Sequence, residues 1–89
     1  MNLKGSIYKQ EFIGNYAEVV ESNHQGYRSI KGKVVDETKN TIHIKNRSGS
    51  IKMIPKKGNT FNIKIDDQEI LVKGNKIKQR PEDRIKKAG

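Results

Sequence analysis

The chain has 89 residues, with 19 Lys and Arg against 10 Asp and Glu, a formal net charge of +9, and only 31% hydrophobic residues. That supports one small domain with a thin core, and so large a basic surplus favours a polyanionic partner, most often a nucleic acid. The absence of cysteine rules out disulfides and thiolate metal sites, and no apolar run approaches the ~20 residues of a membrane-spanning helix.

In chain order, Leu3, Ile7, Tyr8 and Phe12 recur at helical spacing and predict a short amphipathic helix within 1–15, ended at Gly14. A strand follows over 16–22, and then a polar, glycine-bearing loop over 23–27. Strands over 28–36 and 41–46 flank a connection containing Asp36, Thr38 and Asn40, residues that favour turns. Arg47, Ser48 and Gly49 form the next turn, and a strand over 50–54 ends at Pro55, which cannot donate to a ladder. Residues 60–65 alternate most cleanly, with Phe61, Ile63 and Ile65 on one face. Asp66 and Asp67 turn the chain into a strand over 69–73, and Gly74-Asn75 reads as a two-residue hairpin into a last strand over 76–79. From 80 to 89, Pro81, Glu82 and Asp83 precede Arg84, Lys86 and Lys87, an order that complements a helix dipole at both ends.

The expected fold is mainly β: a small, twisted antiparallel barrel of six or seven strands over 16–79, with short helices at each end. Its predicted core is Ala17, Val19, Ile30, Val34, Ile42, Ile44, Ile51, Met53, Phe61, Ile63, Ile70 and Val72. These side chains fill a small barrel and leave no ligand cavity.

The chain shows no catalytic constellation. His24 and His43 are the only histidines, and nothing in their spacing sets them around one phosphate. Asp66, Asp67 and Glu69 have the plainer reading of a turn, as do Asp36 and Glu37, and the glycines are scattered singly rather than gathered into a phosphate-binding loop. No metal or cofactor is expected on the chain itself. The candidate RNA contacts are the basic residues of outward strand faces, loops and the C-terminus: Arg28, Lys31, Lys33, Lys39, Lys45, Lys52, Lys56, Lys57, Arg80, Arg84, Lys86 and Lys87. Most would meet phosphates, which position a protein without reading sequence. Tyr27 and His24, beside Arg28, are candidates for stacking on an unpaired base.

Three blocks carry more than a fold class: KGKVVDETKNTIHI over 31–44, MIPK over 53–56 and RPEDR over 80–84. In this order and spacing the chain, from about residue 13 to 87, resembles the archaeal ribonuclease P protein component 1 family, the Sm-like, SH3-like barrel subunit of the tRNA 5′-processing ribonucleoprotein. One departure is Ser29, where the family pattern leads us to expect glycine. The resemblance implies a non-catalytic subunit, with Mg2+ and the active site held by the ribonuclease P RNA and precursor tRNA as the substrate of the complex. It further implies contact with the specificity domain of that RNA, heterodimer formation with a zinc-ribbon protein subunit, and assembly with other ribonuclease P proteins. Ile7, Tyr8, Phe12 and Tyr16 fall in the family's usual region for docking that partner; the alternative is that they plug one end of the barrel. A ribosomal or Sm-like RNA-binding barrel outside ribonuclease P is the other reading of the same features. The first residues lack the apolar segment of a signal peptide, so a cytoplasmic chain with no membrane partner is expected.

Overall fold

The computed structural model describes residues 11–80. Six strands form one antiparallel sheet: β1 (Tyr16–Ser22), β2 (Lys31–Glu37), β3 (Thr41–Lys45), β4 (Ile51–Pro55), β5 (Asn59–Ile65) and β6 (Gln68–Lys73), in the order β4-β3-β2-β1-β5-β6. The first four strands are a meander, and the chain then crosses back to pair β5 with β1. Only residues 56–58 make that crossing, and four Cα steps reach at most ~14 Å. A flat sheet would hold β4 and β5 four strand spacings, about 19 Å, apart. The sheet is therefore strongly curled, with its core inside the curl.

Two bulges assist the bend. The β1–β5 register shifts between Val19 and Glu21, and the β2–β3 register between Val34 and Asp36. A bulge adds twist and re-aims the side chains beyond it. On β2, Gly32 and Val34 face the core; strict alternation would next send Asp36 inward, but the extra residue at Val35 puts Asp36 outside and buries Glu37.

The core comprises Phe12, Ala17, Val19, Val34, Ile42, Ile44, Ile54, Phe61, Ile63, Ile65, Val72 and Ile77, with Tyr27, Ile30 and Ile70 packed partly against it. Ile51 and Met53, expected inside, are about 60% exposed, and Ile54 is buried in their place. The hairpin register decides this: Ile42 pairs with Ile54 and Ile44 with Lys52, so Ile54 shares the inner face of β3. Phe12 enters the core from a turn rather than a helix, held by Gly14 N donating to Val34 O (2.8 Å) and Val34 N donating to Asn15 O (2.9 Å). The remainder of the expected N-terminal helix lies outside the described residues, as does the C-terminal helix over 81–89.

Two more expectations need correction. Among the described residues there is no seventh strand; Gly74–Lys76 is a single 3-10 turn that drops Ile77 into the core, in place of a hairpin. A Cβ on Gly74 would meet the carbonyl oxygens of Lys56 and Asn59, so only glycine fits there. Second, among the described residues the barrel is not closed by a ladder: β4 and β6 are the two edges of the sheet. Lys52 lies on the core side of β4 and reaches out to solvent, an inward-placed charge of the kind that blunts edge-to-edge pairing.

Candidate nucleic-acid interface

β2 begins, β3 ends and β4 begins at one end of the sheet, and an open groove of about 840 Å³ runs over it. Among the described residues its charged lining is Lys31, Lys33, Lys45, Arg47 and Lys52, with no carboxylate; Tyr16, Ser29, Ile30 and Gly32 complete the wall beside Asn46 and Ser48. Each cation has a local reason for its place. Lys31 and Lys33 alternate with the buried Gly32, and Lys45 follows the buried Ile44, so all three face outward. Arg47 rides a turn in which Asn46 Oδ1 accepts from Ser50 N (2.9 Å) and from the Ser48 hydroxyl (2.9 Å). Gly32 permits close packing beneath, since a Cβ there would strike the Lys45 carbonyl.

Lys33 stands directly opposite Lys45 across β2–β3. Like charges so placed destabilise a sheet by a few tenths of a kcal/mol to about 1 kcal/mol, and an anion between them reverses the sign. Five cations over one groove, two of them facing each other, are electrostatically complementary to phosphate oxygens.

Ser29 has φ +72°, in the left-handed region that favours glycine, which gives a physical reason for expecting glycine there. The strained loop is tied down by Ser29 N donating to Val19 O at 3.1 Å. Ser29→Gly should raise folding stability by about 0.5–1 kcal/mol, the relief of the left-handed cost less the added chain entropy of glycine, read as a higher urea midpoint.

The groove unites four expected contacts, Lys31, Lys33, Lys45 and Lys52. It adds Arg47, which the sequence places in the turn between two predicted strands and the sheet order brings beside the start of β2. Lys56 requires correction. It is fully buried, its Nζ 2.8 Å from Glu37 Oε2 and donating to Gln79 O at 2.9 Å, so it is a structural cation and not a surface contact. Glu37, read as a turn residue, is its buried counter-ion. Arg28 lies apart, in a second depression shared with Glu21 and Lys73. Lys39, Lys57 and Arg80 are exposed elsewhere, and Arg84, Lys86 and Lys87 fall outside the described residues.

The expected docking residues also separate. Phe12 is buried in the core, which favours the plug reading for that residue, whereas Tyr16 is exposed and lines the basic groove. Ile7 and Tyr8 lie outside the described residues. His24 and Tyr27 pack edge to face with centroids 5.6 Å apart; His24 is exposed, and Tyr27 packs partly against the core. His43 Nε2 lies 3.0 Å from Thr41 Oγ1, and neither histidine lines the groove.

The model of the family described as ribonuclease P/MRP, subunit p29, matches residues 5–87. The ribonuclease P protein component 1 of Archaeoglobus fulgidus is 44% identical over 81 residues, covering 91% of this chain and 78% of that protein. That of Methanosphaera stadtmanae is 40% identical over 83 residues, covering 92% and 88%. The solved structure of Mth11, a homologue of human RNase P protein Rpp29, superposes with a TM-score of 0.63 at 32% identity, over 85% of this chain and 99% of that one. On sequence and on fold alike, this chain belongs to the p29 subunit family of ribonuclease P/MRP.

Proposed function

We propose that this chain is an RNA-binding protein subunit of ribonuclease P, itself non-catalytic, which supports removal of the 5′ leader from precursor tRNA by an active site built of RNA and Mg2+. The observation that carries this reading is the groove of Lys31, Lys33, Lys45, Arg47 and Lys52, free of carboxylates among the described residues, in a chain of this family. Phosphate contacts from such a groove fix the register of a folded RNA. The specificity domain of the ribonuclease P RNA is its ligand, a zinc-ribbon subunit is its heterodimer partner, and other ribonuclease P proteins join the particle in the cytoplasm. The curled sheet is the Sm-like barrel of that assembly, with 1–15 and 80–89 as its terminal extensions.

The test is cleavage of a precursor tRNA by archaeal ribonuclease P RNA at limiting Mg2+, with the zinc-ribbon subunit present throughout. Adding this chain should lower the Mg2+ requirement or raise the rate, and only when both proteins are present. No effect, despite tight and salt-sensitive binding to the RNA, would assign the chain to another RNA-bound particle.

A further inference from the structure

Tyr16 opens β1 and is 47% exposed. On its row of the sheet it pairs with Lys64 of β5 on one side and Lys33 of β2 on the other, and Lys33 faces Lys45 of β3. With strands ~4.8 Å apart, the phenol stands between two lysines one strand away on each side. The ring is also a wall common to two depressions: the basic groove toward β2, and a smaller one of about 350 Å³ toward β5 lined by Glu18, Asn62, Lys64 and Glu69. There Asn62 Nδ2 donates to Glu69 Oε1 at 2.9 Å, which fixes the carboxylate. Among the described residues the Tyr16 ring makes no aromatic contact and its hydroxyl no hydrogen bond.

A singly exposed aromatic residue needs no special explanation. An exposed ring with cations on both sides and, behind it, a hollow that holds two carboxylates is a different object. Among the described residues its sheet neighbours are Lys33, Lys64 and, two residues along, Glu18, in place of the contiguous apolar surroundings that a protein partner would bury. It does have what an unpaired nucleotide uses: a π-face for the base and lysines for the phosphates on either side.

We propose that Tyr16 is the stacking platform for one unpaired ribonucleotide, whose base lies over the β5-side depression and whose phosphate lies between Lys33 and Lys45. The carboxylates of Glu18 and Glu69 in that depression accept from an exocyclic amine, as carboxylates do from cytosine N4. With Lys64 engaged by the neighbouring phosphate and Asn62 Nδ2 by Glu69, the two carboxylates disfavour a carbonyl oxygen at the same position, so cytosine is favoured over uracil. This deepens the RNA-binding reading above and rests on it; the site is a local, single-stranded contact added to phosphate positioning.

The experiment titrates the full-length chain into fluorescein-labelled C8 and U8 RNA oligomers at several salt concentrations. C8 should bind several-fold tighter than U8. Tyr16→Leu, which keeps an apolar side chain but no π-face, should lower C8 affinity by about 5- to 100-fold with the slope of log K against log salt unchanged. Tyr16→Phe should stay within about twofold of the parent, since the stack and not the hydroxyl carries the contact. Equal affinity for C8 and U8 would overturn the placement of the base over Glu18 and Glu69. Unchanged C8 affinity in Tyr16→Leu would overturn the platform itself, and if that variant instead lost affinity for a protein subunit, Tyr16 would belong to a protein interface. Either result leaves the precursor-tRNA cleavage test of the broader reading intact.

Discussion

Replacing Lys56 by methionine should cost about 3–5 kcal/mol of folding free energy, a large share of the ~5–10 kcal/mol available to a domain of this size. The ammonium is fully buried, 2.8 Å from Glu37 Oε2, and it also donates to the carbonyl of Gln79. It therefore joins the end of β2, the β4–β5 connection and the chain that follows β6. Methionine fills a similar volume, so the loss is electrostatic: the Glu37 carboxylate stays out of water with that ammonium gone. Glu37→Leu alone should cost a comparable amount for the mirror reason. The double variant, Glu37→Leu with Lys56→Met, should recover most of the loss, because two desolvation penalties vanish together. Urea unfolding of the four proteins gives the coupling energy directly. A near-additive cycle would show that the two groups contribute independently.

The second large effect is on RNA. The triple variant Lys33→Ala, Lys45→Ala, Arg47→Ala should weaken binding to ribonuclease P RNA by about two orders of magnitude near physiological salt, and should reduce the slope of log K against log salt by about 2–3. The fold should survive, and removal of the facing Lys33–Lys45 pair should relieve its repulsion, so the free protein gains a few tenths of a kcal/mol. Opposite signs for binding and stability distinguish a functional charge pair from a structural one. An unchanged salt slope would remove this groove from the RNA interface.

The strands were legible because β3 and β5 alternate cleanly and β1 does so up to its bulge, and β5 is nearly ideal: Phe61, Ile63 and Ile65 inside, with Asn62 and Lys64 outward. The phase of β4 was not legible. Ile51, Met53 and Ile54 are apolar on both parities, so period two cannot choose between them, and only the β3 register does. Nor could alternation foresee Glu37, because a bulge at Val35 reverses the parity just before it. Lys56 was misread for the same kind of reason: nothing local marks a lysine after a proline as buried when its partner is 19 positions away. Lys31, Lys33 and Lys45 were legible as outward cations. That they converge with Arg47 and Tyr16 over one groove is a product of strand order, which composition and spacing do not carry.

The crossing from β4 back to β1 also governs when this protein can exist as a folded object. Ala17 pairs with Ile63 and Val19 with Phe61, so the first strand made is completed by the fifth. Closing a loop of that length must be paid in chain entropy before any contact between those strands rewards it, which makes such topologies slow. On a ribosome adding ~5–20 residues per second, the β1–β4 meander emerges first and keeps its inner face uncovered until β5 follows. The time the nascent chain spends with Ala17 and Val19 bare is thus set by how quickly Phe61 and Ile63 arrive, and not by the strength of the finished core.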